Sequence, residues 1–347
     1  MATPLIPPTL GDIYQARPRV YGLLPRTPLM AHPMLARELG CDVRVKHENH
    51  LPTGAFKVRG GVNLVGSLVE QRRDLKAITA STGNHGQSIA FACQQHRVPC
   101  TILVPRGNNP DKNAAMRAFG AEVVEHGRDF DEAREEVERR VAESGGTLRY
   151  VHPANEPLLI AGVGTYALEL FEELSDVDVV FVAIGGGSGA CGLVTVRNAI
   201  GSRARVIGVN AANADAFARS WRARQRIVGE RADTFAEGIA TRVTFDLPFG
   251  ILTQPPPHGL DDIVTLTEDE LAHGVRLALR LTHNLAEGAG AASLAAAWKQ
   301  RDQLAGKRVV CIMSGGNLTL PMLARIAGTG SDTGASARDL LATPTVS

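Results

Sequence analysis

The stretch VDVVFVAIGGGSGACG, residues 177–192, decides the fold class of this 347-residue chain. Val177–Ala183 has the pattern of a buried β-strand, because apolar and mostly β-branched side chains follow one another with a single acidic interruption. Four glycines lie within Gly185–Gly189, and the residues from Ala190 onward have a helical pattern. A strand that passes through a glycine turn into a helix is typical of α/β proteins.

The alternation of short β-branched runs with helical patterns continues along most of the chain. Asp129–Val141 is a helix in this interpretation, because Phe130, Val137 and Val141 fall on one face. The predicted strands form two sets, one ending near residue 151 and one beginning near residue 177, and they predict two parallel sheets with a cleft between them. The first set comprises Val43–His47, Ala77–Ala80, Thr101–Val104, Glu122–Glu125 and Leu148–Val151, and the second comprises Val177–Ala183, Arg205–Val209 and Arg308–Met313.

The composition excludes several broad classes of function. The 37 basic and 36 acidic residues give a formal net charge of +1, which argues against nucleic acid as a partner. No apolar run approaches the roughly 18 residues of a membrane-spanning helix, and the proline-rich N-terminus lacks the order of a signal peptide. The five cysteines are dispersed, which fits reduced thiols in a cytoplasm. We therefore expect a cytoplasmic enzyme without membrane or nucleic-acid partners.

The glycine run is expected to bind an anion, because its backbone N–H groups lie at the start of a helix. Gly187-x-Gly189-x-x-Gly192 formally matches the dinucleotide-binding fingerprint, which also needs an acidic residue at the end of the next strand. The next predicted strand ends at Asn210, and the first acidic residue after it is Asp215. A single phosphate therefore fits better than a pyrophosphate, and a nucleotide-dependent oxidoreductase is a disfavoured alternative.

Lys57 is the candidate for covalent chemistry. Only six of the 37 basic residues are lysines, and Lys57 lies between Phe56 and Val58. Schiff-base chemistry needs an amine that can lose its proton, which a guanidinium cannot do. A lysine whose stem packs on apolar neighbours while its head reaches water explains the same pattern equally well. Lys46 occupies a similar apolar run, and its sequence neighbours give no indication of chemistry.

The segment HENHLPTGAFKVRG, residues 47–60, resembles the lysine segment of the fold-type II pyridoxal-phosphate enzymes, and is most similar to the serine/threonine dehydratase and serine racemase branch. Further motifs of that family follow in order, and the resemblance extends roughly over residues 20–325. These motifs are Ser81–Gln87 (STGNHGQ), Pro157–Thr165, the glycine run Gly185–Gly189, Glu237–Ala240 and Ser314–Asn317.

The resemblance implies an α/β fold like that of the tryptophan synthase β subunit, with two domains that each contain a mainly parallel sheet flanked by helices. We expect residues 53–152 to form the small domain and residues 1–52 plus 153–327 to form the large one, with pyridoxal 5'-phosphate between them. The resemblance also suggests a homodimer. Residues 328–347 are small and polar, and we expect a disordered tail there.

The resemblance also implies the roles of individual residues. Lys57 would hold the cofactor as a Schiff base and act as the base at the substrate Cα. Asn84 would bind the phenolic oxygen of the cofactor, the glycine run its phosphate, and Ser314 its pyridine nitrogen. The cofactor-binding set is Phe56, Lys57, Asn84, Gly185, Gly186, Gly187, Ser188, Gly189 and Ser314, and the substrate-binding set is Ser81, Thr82, Gly83, His85 and Gly238.

The reaction implied is the elimination of water and ammonia from a 3-hydroxy amino acid such as L-threonine, L-serine or L-phenylserine. The alternatives within the family are an amino-acid racemase, a 3-hydroxyaspartate ammonia-lyase and a β-replacement enzyme. A catalytically silent binding protein is a further alternative, which would leave the lysine and serine motifs unexplained.

Three departures from the family pattern refine these expectations. Asn210 and Ala216 are neutral where serine racemases have carboxylate ligands, so no metal site is expected. Ala154 and Val163 replace residues that are usually polar, which favours a substrate with an apolar β-substituent. Glu237 replaces the usual aspartate and Arg242 adds a cation nearby, which would favour an acidic substrate instead.

Overall fold

The computed structural model describes residues 5–71 and 74–328, so the predicted tail lies outside the described residues apart from Gly328. The described residues form ten strands and thirteen α-helices. The strands are β1 Leu29–Ala31, β2 Asp42–His47, β3 Ala77–Ala80, β4 Cys100–Val104, β5 Glu122–Glu125, β6 Arg149–Tyr150, β7 Val179–Ala183, β8 Arg205–Ala211, β9 Asp262–Leu266 and β10 Arg308–Met313. The helices are α1 Leu10–Leu23, α2 Pro33–Leu39, α3 Lys57–Gln71, α4 Asn84–His96, α5 Pro110–Ala118, α6 Phe130–Glu143, α7 Pro157–Glu173, α8 Ser188–Ala199, α9 Ala216–Ala223, α10 Asp246–Leu252, α11 Glu268–Leu277, α12 Gly288–Lys299 and α13 Leu320–Ala327.

The chain divides into two compact units. The first contains the N-terminal residues through Arg26 together with Leu51–Thr165, and the second contains Thr27–His50 and the chain from Tyr166 onward. Helix α7 begins in the first unit and continues into the second. The predicted domain boundaries at residues 53 and 152 stay a prediction.

The first unit contains a four-stranded sheet in the order β5-β4-β3-β6, and all of its strands are parallel. One face is packed by α6, whose Val137 is buried among Ile78 and Leu103 of the sheet. Phe130 and Val141 pack against the same cluster, which confirms the predicted apolar face of this helix.

The second unit contains a six-stranded sheet in the order β1-β2-β10-β7-β8-β9. Its pairs are parallel except for β1, which runs antiparallel to β2 at the edge. These parallel-rich sheets with flanking helices confirm the predicted α/β class. The grouping of Val43–His47 with the first set of strands was wrong, because β2 pairs with β10 along its whole length.

Close approaches between helices fix the position of the lysine segment in the first unit. A methyl group on Gly61 of α3 would lie 2.3 Å from the Ser88 Oγ of α4, and one on Gly60 would lie 2.7 Å from the Leu159 carbonyl oxygen of α7. Side chains at these two positions would therefore push α3 away from both helices. The glycines thus hold the start of α3 against α4.

No helix within residues 5–71 and 74–328 is long and apolar enough to cross a membrane.

Candidate active site

Lys57 is the first residue of α3, and its backbone is anchored to α4. The Ser88 hydroxyl donates a hydrogen bond to the Lys57 carbonyl oxygen at 2.6 Å. The Nζ atom lies 5.0 Å from the centre of the Phe56 ring, within the range of a cation–π contact. Both residues are partly exposed, and the backbone of Lys57 is held in place by Ser88.

The Ser81–His85 loop leads from the carboxyl end of β3 into α4. The Ser81 Oγ accepts hydrogen bonds from the backbone N–H groups of Gly83, at 3.1 Å, and Gly86, at 2.8 Å. The Ser81 side chain therefore shapes the loop, and its predicted contact with substrate stays a prediction. Thr82 and Asn84 are partly exposed, and α4 directs the positive end of its dipole toward this loop.

Two further side chains of the first unit flank this loop. A methyl group on Gly83 would lie 3.4 Å from the Nζ of the buried Lys112, so glycine leaves room for that ammonium group. The His85 ring is buried, and its Nε2 lies 3.0 Å from the Thr79 hydroxyl. Burial, followed by the positive charge of Lys57, lowers the pKa of His85 to about 3, which keeps the ring neutral.

The chain after β6 contains His152, which was not predicted as a site residue, and the predicted residues Ala154 and Val163. The Nδ1 atom of His152 accepts hydrogen bonds from the backbone N–H groups of Ala154, at 3.0 Å, and Asn155, at 2.9 Å. His152 was not predicted, because a histidine in a loop has no sequence pattern that indicates contacts with these amides. Ala154 and Val163 are both fully buried.

The glycine run of the second unit joins β7 to α8. The helix begins at Ser188, two residues earlier than predicted, because Gly187 adopts a left-handed φ of 90° and forms the N-cap. A methyl group on Gly185 would lie 2.1 Å from the carbonyl oxygen of Gly238, so this position has room only for hydrogen. The run therefore lies directly against the Glu237–Ala240 motif.

The glycine run also fits a phosphate group. The Ser188 Oγ is buried and has no hydrogen-bond partner among residues 5–71 and 74–328, which is unusual for a buried hydroxyl. It lies at the first residue of a twelve-residue helix, where backbone N–H groups and the helix dipole favour an anion. A phosphate at this position would satisfy both features.

Ser314 follows β10 and is connected to the same region through Ala289. The Ser314 hydroxyl donates to the Ala289 carbonyl oxygen at 3.3 Å, and a methyl group on Gly238 would lie 2.8 Å from the Ala289 Cβ. Gly185, Gly238, Ala289 and Ser314 thus form a continuous series of contacts in the second unit. In the second unit, the structure thus brings the glycine run, predicted to bind the cofactor phosphate, close to Ser314, predicted to bind its pyridine nitrogen. In the first unit, it brings Lys57 close to the Ser81–His85 loop.

The predicted absence of a metal site depends on the end of β8. The Asn210 amide donates to the Ile184 carbonyl oxygen at 2.6 Å. The Asp215 Oδ1 lies 3.9 Å from the Arg219 guanidinium, so this carboxylate forms a long ion pair. Strand β8 extends to Ala211, beyond the predicted end at Val209. Among the described residues, no three His, Cys, Asp or Glu side chains are grouped as metal ligands.

A buried ionic network surrounds Lys46, and the sequence did not predict it. Its Nζ donates to Glu169 Oε2 at 2.7 Å and to the Thr27 carbonyl oxygen at 2.7 Å, and both charged side chains are 0% exposed. The Thr27 hydroxyl also donates to Glu48 at 2.6 Å. A charged residue within the apolar pattern of α7 was the available signal for Glu169.

Comparisons with known proteins match nearly the whole chain. A family model described as pyridoxal-phosphate dependent enzyme matches residues 20–315. The L-threonine ammonia-lyase of Thermotoga maritima is 36% identical over 322 residues, which cover 93% of this chain and 79% of the relative. The L-threo-3-hydroxyaspartate ammonia-lyase of Saccharomyces cerevisiae is 31% identical over 322 residues, which cover 93% and 97% of the two chains. The processed form of threonine deaminase isoform 2 from Solanum lycopersicum has a similar structure, with a TM-score of 0.84, 28% identity, and coverage of 93% of this chain and 90% of that chain.

Proposed function

Because this chain belongs to the family of pyridoxal-phosphate-dependent enzymes, we propose that it is an ammonia-lyase that converts a small 3-hydroxy amino acid to a 2-oxo acid and ammonia. In the first half of the reaction, the substrate loses the hydrogen on Cα and the hydroxyl group on Cβ, which together make one water. Hydrolysis of the resulting enamine takes up one water and releases ammonia, so the net loss from the amino acid is ammonia alone.

The observation that carries this proposal is the position of Lys57. It begins α3 with its backbone held by Ser88, and its charge acts on His85 at the start of α4. An amine on a fixed backbone next to the amide-rich start of a helix suits proton abstraction from an amino acid whose carboxylate binds that helix. Relatives named for ammonia elimination match 93% of the chain, which supports the reaction class.

Each remaining group has a role that its chemistry supports. Bound pyridoxal phosphate supplies an electron sink for the charge that develops at Cα. The backbone amides and Ser188 hydroxyl of the glycine run would hold its phosphate, Ser314 its ring nitrogen and Asn84 its phenolic oxygen. Lys57 would hold the cofactor covalently and take the Cα proton on Nζ. The backbone amides of Thr82 to His85 would bind the substrate carboxylate.

We propose a cytoplasmic location for the enzyme on the basis of its cysteines. All five are free, and four of them are buried. Free thiols in these numbers suit a reducing compartment.

The test is to incubate the purified protein with L-threonine and measure the 2-oxo acid and ammonia, which should form in equal amounts. The visible absorption of bound cofactor should be present in the wild type and lost in Lys57→Ala, which should be inactive and folded. Normal turnover by Lys57→Ala would contradict the role of this lysine.

Two family alternatives have separate readouts in the same assay. Chiral analysis of the remaining amino acid detects a racemase, because inversion at Cα would convert L-threonine to D-allothreonine without forming 2-oxo acid. Turnover of 3-hydroxyaspartate in preference to threonine would match the activity named for the Saccharomyces cerevisiae relative.

A further inference from the structure

The hydrogen bonds around His85 fix which of its two ring nitrogens carries the proton. The Thr79 hydroxyl donates its proton to the Val151 carbonyl oxygen at 2.7 Å, so it has no proton left to donate to His85. The His85 Nε2 lies 3.0 Å from this hydroxyl oxygen and 3.4 Å from the same carbonyl oxygen. Both neighbours then offer only lone pairs, so Nε2 must carry the hydrogen. His85 is therefore the Nε2–H tautomer, and Nδ1 is an acceptor.

The Nδ1 atom of His85 is a buried acceptor without a protein partner. The residue is 5% exposed, and Nδ1 has no hydrogen bond within the described residues. Buried polar atoms normally have a partner, so one left open in the folded chain calls for an explanation. The groups whose charges face the ring are Lys57 from α3 and His152 from the segment after β6.

The packing of α3 on α4 places Lys57 in the same neighbourhood as this acceptor. Ser88, three residues after His85 in α4, holds the Lys57 backbone through its hydroxyl. The charge of Lys57 is the largest contribution after burial to the low pKa of His85. The ring is therefore neutral at physiological pH, and cannot act as an acid toward the lysine.

We propose that His85 is a positioning residue for Lys57, whose amine donates a hydrogen bond to the Nδ1 lone pair. This inference rests on the proposed role of Lys57 as the base at Cα. An amine that donates one N–H to Nδ1 has its own lone pair turned away from the ring, where it can take a proton from carbon. The opposite tautomer would donate to that lone pair and block it. Thr79 thus sets the direction of the hydrogen bond at a distance from the reacting atoms.

The tautomer is measured directly by ¹⁵N NMR of the holoenzyme labelled at histidine, with His85→Asn used to assign the signal. Nδ1 of His85 should resonate as an unprotonated nitrogen and Nε2 as a protonated one. A protonated Nδ1 in the wild type would overturn the proposal. This measurement uses no substrate, so it is independent of the proposed dehydration.

The functional consequence is tested with Thr79→Val, and Thr79→Ser is the matched control that keeps the hydroxyl. The rate of exchange of the substrate Cα hydrogen in D₂O reports proton transfer by Lys57, whether or not the amino acid is then dehydrated. The valine variant leaves only the 3.4 Å contact with the Val151 carbonyl oxygen to hold the Nε2–H form, so the other tautomer should become populated and this exchange should slow about tenfold at unchanged KM. The serine variant should stay within about twofold of the wild type. Loss of the tautomer without slower exchange, or slower exchange with the tautomer retained, would each overturn the proposal.

A second pair of variants covers the case in which Thr79→Val does not fold. His85→Asn keeps an acceptor oxygen near the position of Nδ1, and His85→Leu removes it. Exchange should be slowed at least about tenfold more by leucine than by asparagine. Equal rates in the two variants would show that the acceptor has no part in positioning Lys57.

Discussion

Lys46 and Lys57 have the same kind of sequence neighbours and opposite environments. Lys46 is fully buried and paired with Glu169, whereas Lys57 is partly exposed at the start of α3. The sequence could not separate the two by local pattern, because Glu169 lies 123 residues from Lys46. Only the family motif identified Lys57 as the reactive lysine. A buried ion pair is costly to desolvate, so Lys46 contributes to the structure mainly when its partner is present.

Removal of one member of this pair should therefore destabilise the protein more than removal of both. Lys46→Met leaves the Glu169 carboxylate buried without its ammonium partner, and should cost about 3–5 kcal/mol in the free energy of unfolding. Glu169→Leu should cost a similar amount. The double variant should recover most of the loss, which urea unfolding of the four proteins measures. Simply additive losses would contradict this interpretation of the pair.

Most strands were predictable from their β-branched runs, whereas strand β9 and the ends of β8 and α8 were not. The strands Ala77–Ala80, Glu122–Glu125 and Arg308–Met313 were predicted to the residue, because each is a short β-branched run next to a turn. Strand β1 was missed, since its three residues, one partly exposed and two exposed, have no pattern of their own and depend on pairing with β2. Helix α8 starts earlier than its apolar pattern, because the left-handed Gly187 caps it.

The contact between the glycine run and Gly238 should control cofactor binding. Gly185→Ala places a methyl group 2.1 Å from the Gly238 carbonyl oxygen, so the loop must shift. Its backbone N–H groups would then no longer point at the phosphate. We expect the cofactor dissociation constant, measured by titrating apoprotein with pyridoxal phosphate, to rise about tenfold or more. The control is Gly250→Ala on α10, where a methyl group meets nothing within 4 Å. Equal affinities in the two variants would argue against the phosphate site.

The end of β8 leads to a prediction about cations. Asn210 donates its amide to the Ile184 carbonyl oxygen, and neither it nor Ala216 offers a carboxylate to a hard cation. Dialysis against EDTA should therefore leave the rate of 2-oxo acid formation and the Tm unchanged. A parallel sample with added magnesium or calcium serves as the control. A large recovery of activity on adding either ion after EDTA would show that another set of oxygens binds it.

At the scale of the whole molecule, the proposed site residues are distributed over both units. Lys57 and Asn84 belong to the first, and the glycine run and Ser314 belong to the second. The ordered motifs predicted this membership of a pyridoxal-phosphate family, which the match over residues 20–315 confirms. Fine positioning could not be predicted, because contacts such as Thr79 to Val151 join residues 72 positions apart. The roles of the individual site residues stay predictions.

Two buried apolar residues should determine which substrate the enzyme prefers. Ala154 and Val163 are fully buried and apolar in a segment where the family usually has polar residues. If they adjoin the substrate β-carbon, each buried methylene contributes about 0.8 kcal/mol, which is nearly a fourfold preference. Threonine and phenylserine should then exceed serine in kcat/KM, as a preference without exclusion.

Val163→Ser should narrow the difference in kcat/KM between threonine and serine, and Val228→Ser, at an exposed valine, is the matched control. If serine gives the highest kcat/KM, the apolar argument is wrong. If 3-hydroxyaspartate does, and Arg242→Gln removes its advantage, the exposed Arg242 determines specificity.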